Sequence, residues 1–141
     1  MTQKFPEHTL ERLKDTYLSI STSEPDIRGR KVIDRNGEDV GHVEALFIDQ
    51  GEKKVRILQI HAGGFLGWGG QSFYVPVDAV RQVTPDEVHI DPTRVQVAAA
   101  PVYDPELVLE QEPEAWEPAY THFGYMPYWS SGYIYPGFPV Y

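Results

Sequence analysis

Between residues 31 and 90 apolar side chains recur at every second position in short runs. Turn-forming residues interrupt these runs at intervals of roughly 8 to 15 residues, a spacing that points to an all-β sandwich or barrel. Val32-Ile33 leads into Asn36-Gly37, a dipeptide suited to tight turns because both residues tolerate positive φ. A second strand is predicted from Val40 to Asp49. Its alternation changes phase near Ala45, where Leu46-Phe47-Ile48 run together, and this implies a bulge or burial on both faces. Lys54 to His61 reads as a third strand, with Val55 and Ile57 alternating against Arg56 and Leu58. Phe73, Val75 and Val77 alternate next. Pro76 has no N–H to give a ladder, so it belongs on an edge or at a bulge. Val80–Val83 and Val88–Ile90, around Pro85-Asp86-Glu87, form a short final hairpin. The expectation is a small all-β barrel or sandwich of five to six short strands.

The flanks differ in kind. We divide the chain into an arm (1–25), the barrel (26–92) and a tail (93–141). In the arm Leu10, Leu13, Tyr17 and Ile20 share one face of a helix that Thr9 can cap. So short a helix is marginal in water and must dock, on its own barrel or on a partner. From Pro101 onward the tail holds seven prolines and seven tyrosines. Prolines 113, 118, 127, 136 and 139 oppose a continuous helix or central strand. Trp116, Phe123, Tyr125, Tyr128, Trp129 and Phe138 are too adhesive for a free linker. An irregular, extended tail wrapping over an apolar surface is expected.

Charge narrows the partners. The net charge is −9, and six acidic residues with no Lys or Arg lie in 101–141. Such a balance opposes phosphate-driven nucleic-acid binding. Arg28, Arg30, Lys31 and Arg35 crowd one stretch, which reads as an edge strand protected by charge or as a local basic patch. The absence of cysteine excludes disulfides and thiolate metal sites, and makes a cytoplasmic setting the default expectation. Met1 to Glu7 lacks the apolar stretch of a signal peptide, and no run is long enough for a membrane helix. Direct membrane binding is not expected.

Three runs carry a family resemblance. They are Asp26-Ile27-Arg28-Gly29-Arg30-Lys31-Val32 continuing through Asp34 to Val43, then Val55 to Leu58 with Gly63-Gly64-Phe65-Leu66-Gly67, and finally Tyr74-Val75-Pro76-Val77-Asp78-Ala79-Val80. In order and spacing this resembles the PRC-barrel family. That likeness implies a small, highly curved β-barrel, a fold that occurs in photosynthetic reaction-centre H subunits, in ribosome-maturation factors and in short stand-alone bacterial and archaeal proteins. The resemblance implies assembly or interaction without catalysis, and it transfers no functional residue position by position.

The residues offer little chemistry. Gly63–Gly70 is glycine-rich but sits between strands and lacks the Lys-Ser/Thr of a phosphate loop. It reads as a hairpin connection or, through Phe65, Leu66 and Trp68, as an apolar contact patch. His42, His61 and His89 lie on different strands and could converge, but no metal framework accompanies them. Asp34, Glu38, Asp39, Asp86 and Glu87 flank turns and read as solvated caps. No catalytic residue, cofactor or metal is expected. A barrel this small buries only roughly 60% of its unfolded surface, so the surplus apolar groups need partners. The expected function is a non-catalytic interaction or assembly module forming a homodimer. Its contact residues would be Leu10, Leu13, Tyr17, Phe65, Leu66, Trp68, Trp116, Tyr125, Tyr128 and Trp129. Two alternatives are a membrane-associated or photosynthetic-type electron-transfer assembly factor, by analogy with the H subunit, and a small-ligand or metal-binding barrel.

Overall fold

The computed structural model describes residues 10–12, 27–49, 54–62, 71–101 and 116–136. Its strands are β1 (Leu10–Arg12), β2 (Lys31–Ile33), β3 (Asp39–Asp49), β4 (Val55–Ala62), β5 (Gln71–Pro76), β6 (Val80–Val83) and β7 (Glu87–Ile90). A single 3₁₀ turn, Val77–Ala79, joins β5 to β6, and two short helices follow, α1 (Arg94–Ala98) and α2 (Glu117–Phe123). The sheet runs β5-β4-β3-β2-β7-β6, with β1 beside β3. All pairs are antiparallel except β2–β7. The result is a curled half-barrel, in keeping with the alternating pattern. Among the described residues no helix is long and apolar enough to cross a membrane.

The curl comes from extra residues inserted in single strands. Ile33 and Val32 of β2 face Asp39 and Gly41, which leaves Val40 of β3 as the extra residue. Val43 and Ala45 face Ile60 and Gln59, which leaves Glu44. On β4 it is Arg56, between the partners of Phe47 and Ile48. Each insertion bends its strand and increases local twist. The bulge at Glu44 also accounts for the phase change near Ala45. Val43, Leu46 and Ile48 enter the barrel interior, while Ala45 and Phe47 face outward and are equally buried.

The interior gathers Val32, Leu46, Leu58, Ile60, Phe73, Val75, Val88 and Ile90, and Val97 and Ala100 around α1 close it. Phe73, Val75 and Val77 point inward together, as their alternation requires. Pro76 ends β5, a strand whose described ladder partner is β4 alone, so its missing N–H costs no bond on the open side.

Several expectations are corrected. Leu10–Arg12 is a strand, not the start of a helix. β2 pairs only the first part of β3, so the later part has an open edge, and Leu10, Glu11 and Arg12 fill it opposite Asp49, Ile48 and Phe47. Backbone pairing there outweighs helix spacing. The basic stretch is no edge either. Lys31–Ile33 lies between β3 and β7, while Arg30 donates to the Thr84 carbonyl and Arg35 to that of Asp91. These cations tie loops together. Asp34 is buried, not a solvated cap. Its Oδ1 accepts from the N–H groups of Asn36 and Glu38, and its Oδ2 from that of Arg94. One carboxylate thus joins the β2–β3 turn to the start of α1.

Candidate interaction surface

The outer face of β3, β4 and β5 presents Ala45, Phe47, Ile57 and Tyr74. On a lone sheet this face would be wet. Here the tail covers it with Trp116, Tyr120 and Tyr128, all buried. Phe47, Tyr74 and Trp116 form a triangle of tilted rings with centres 5.5 to 5.9 Å apart, within the range where aromatic pairs add to plain burial. Tyr120, Tyr128 and Trp129 form a second group, with both contacts of Trp129 edge-on.

The expectation of an irregular tail from residue 93 is corrected in two parts, because Arg94–Ala98 and Glu117–Phe123 are both helical. Pro118 lies in the first turn of α2, where its missing N–H has no intrahelical partner to lose. Gly124 then ends the helix at φ +82°, and its N–H and that of Tyr125 both bond the Tyr120 carbonyl. His122 on α2 donates from Nε2 to the Gln96 carbonyl at 2.7 Å, which anchors α2 to α1.

The tail is clamped to the sheet around Arg56, the bulged residue of β4. Strict alternation would put Arg56 with Leu58. The bulge instead places Val55 with Leu58 in the interior, and leaves Arg56 buried beneath the tail. Its guanidinium carbon stands 4.8 Å from the Tyr128 ring centre, 5.3 Å from that of Tyr135 and 5.7 Å from that of Tyr133. A desolvated guanidinium among tyrosine faces is the setting in which cation–π attraction is largest. Lys54 also lies over the Tyr135 ring, and the Tyr135 hydroxyl donates to the Val55 carbonyl. Tyr133 donates to Asp78 Oδ2 at 2.9 Å. Burial pushes the Asp78 carboxyl up, against the bond from Tyr133 and the charge of Arg56. Burial and Asp78 together push the Tyr133 phenol well above its usual range. The Tyr120 hydroxyl and Asp78 Oδ1 are buried with no hydrogen-bond partner among the described residues.

The outer side of the same segment remains accessible. Met126 is 51% exposed and Ile134 84%, flanked by half-buried Tyr125, Trp129 and Tyr133. Of the contact residues named from sequence, Trp116, Tyr125, Tyr128 and Trp129 therefore come together, the first and third as anchors and the others at the rim. Leu10 falls in β1, while Leu13, Tyr17, Phe65, Leu66 and Trp68 lie outside the described residues. Sequence reasoning missed Arg56, Asp78, Tyr120 and Tyr133. A charged residue inside an otherwise apolar strand was the available signal for Arg56. His42 and His61 meet across β3 and β4 with ring centres 5.5 Å apart, whereas His89 pairs with Glu87. No group of three metal-ligating side chains occurs among the described residues.

A curled half-barrel with a parallel β2–β7 pair, its interior closed by α1, defines a small β-barrel module. A model of the PRC-barrel domain matches residues 24–97, and the chain belongs to that family. The match takes in α1 and ends before the aromatic tail. No curated protein matches the chain.

Proposed function

We propose that the chain is a non-catalytic interaction and assembly module that self-associates as a homodimer through the rim of its docked tail. The observation carrying this reading is the pairing of buried anchors with exposed apolar side chains in one short segment. Tyr120 and Tyr128 hold residues 125–135 on the barrel, so Met126, Trp129 and Ile134 are presented on a fixed backbone. Tyr, Trp and Met are enriched at protein interfaces, and a pre-ordered contact surface loses less entropy on binding. Sedimentation velocity on the full chain up to tens of micromolar tests the proposal. A dimer that Met126→Asp and Ile134→Asp convert to monomer, at unchanged melting temperature, supports it. A monomer at every concentration overturns self-association, and a dimer indifferent to both substitutions overturns this surface.

A further inference from the structure

Asn36 is the chain's only asparagine, and Gly37 follows it directly. The pair lies at the tip of the β2–β3 hairpin, where both residues are exposed. Three hydrogen bonds to and from Asp34 close the turn around them. The Asn36 N–H donates to Asp34 Oδ1 at 2.8 Å and the Gly37 N–H to the Asp34 carbonyl at 3.0 Å, while the Asp34 N–H donates to the Glu38 carbonyl at 2.9 Å. The side-chain amide of Asn36 makes no hydrogen bond among the described residues, since only its backbone N–H is held. The space beside Gly37 is open as well: a Cβ built there would meet nothing within 4 Å.

We propose that Asn36–Gly37 is a site of spontaneous covalent modification, where the asparagine converts to isoaspartate and loosens the turn that Asp34 ties to α1. The reaction needs only the chain and water. Hydroxide takes the Gly37 amide proton, and the Gly37 nitrogen attacks the side-chain carbonyl carbon of Asn36. A new C–N bond closes a succinimide ring. The side-chain nitrogen takes a proton from water and leaves as ammonia, which restores the hydroxide. Water then adds to either ring carbonyl, and cleavage of that C–N bond gives aspartate or isoaspartate at position 36. A following residue with a side chain would crowd the attacking nitrogen, and Gly37 has none. What holds that nitrogen back is its bond to the Asp34 carbonyl, at an exposed hairpin tip that can open without global unfolding. Isoaspartate routes the main chain through the former side chain and so lengthens it by one carbon. Gly37 and Glu38, which both donate to Asp34, are then shifted away from it. Aspartate instead adds a carboxylate beside Asp34, Glu38 and Asp39, while Arg35 is engaged with Asp91. Because Asp34 Oδ2 accepts from the Arg94 N–H, slack in the turn reaches the start of α1.

The test is ageing of the purified full chain at neutral and mildly alkaline pH, followed by peptide mapping with mass spectrometry, enzymatic methylation of isoaspartyl groups and urea unfolding. With a single asparagine, every asparagine conversion maps to position 36. Isoaspartate should accumulate there, faster at the higher pH because the attacking amide must lose its proton. It should form on the order of ten-fold more slowly than in a free peptide spanning residues 33–40, since the turn has to open first. Converted chains should unfold at a lower urea midpoint than fresh ones. Asn36→Ser has no side-chain carbonyl to attack, and its midpoint should hold over the same period. A folded chain that forms no isoaspartate while the peptide converts overturns the proposal. Converted chains with the midpoint of fresh protein overturn the loosening, and an equal decline in Asn36→Ser overturns its assigned cause.

Discussion

Gly41 stands where β3 closely approaches β4, and it resists replacement on two grounds. Its φ is +140°, and an added methyl would meet the His61 carbonyl and lie 3.0 Å from the Ala62 Cα. Both atoms are main chain, so neither can swing aside. Gly41→Ala should cost about 2 to 4 kcal/mol through overpacking and backbone strain, read as a lower urea midpoint at unchanged slope. Asp78 makes a second prediction, with a defined sign. Its folded pKa is raised above 3.8, chiefly by burial, so the folded chain holds that proton more tightly than the unfolded one. The stability this linkage gives is complete below 3.8 and is lost as pH rises through the raised value. Asp78→Asn keeps an acceptor for Tyr133 and removes the buried charge. Urea unfolding across a pH series should find the variant more stable than the parent at neutral pH and level with it in acid. A variant weaker at neutral pH would show that attraction between Asp78 and Arg56 outweighs burial.

The elements divide by how far their own residues determine them. β3 to β7 were legible because period-two alternation is imposed by the sheet itself, and the bulge at Glu44 announced itself where three apolar residues ran together. β1 was not legible. A three-residue strand is decided by the open edge beside it, and Leu10 with Leu13 and Tyr17 has helical spacing. α2 was hidden by Pro118, which reads as a breaker unless the helix start is known. The clamp was half legible, since the aromatic surplus of the tail was plain, but a one-residue bulge at Arg56 alters which face each neighbour takes. The prediction at this scale concerns α2 and its approach. Trp116→Ala removes the side chain that closes the Phe47–Tyr74 pair, and should cost roughly 3 to 5 kcal/mol. The uncovered sheet face should then bind a hydrophobic dye that the parent chain does not.

For the whole molecule, long-range ties matter more than any one strand. Asp34 joins a turn to a helix 60 residues later in sequence. Burial raises its pKa, but the N–H groups of Glu38, Arg94 and Asn36, with the charge of Arg94, outweigh that and hold it below 3.8. This contribution is present above 3.8 and is lost as pH falls through the lowered value, the reverse of Asp78. Asp34→Asn should therefore be less stable than the parent at neutral pH, with a shallower loss in acid, measured by unfolding at each pH. The tail supplies the other long-range tie, and its place in the chain has a consequence during synthesis. Protein chains emerge from the ribosome N-terminus first, and their domains fold as units. When residue 101 has emerged, every described strand of the half-barrel is available, yet Phe47, Ile57 and Tyr74 still lack the cover that begins at Trp116. The nascent chain then passes through an interval in which a nearly complete barrel exposes an aromatic sheet face to its surroundings. How long that interval lasts is set by translation speed, so slow codons between the barrel and Trp116 would extend the time in which chaperones or neighbouring nascent chains compete with the tail for that face.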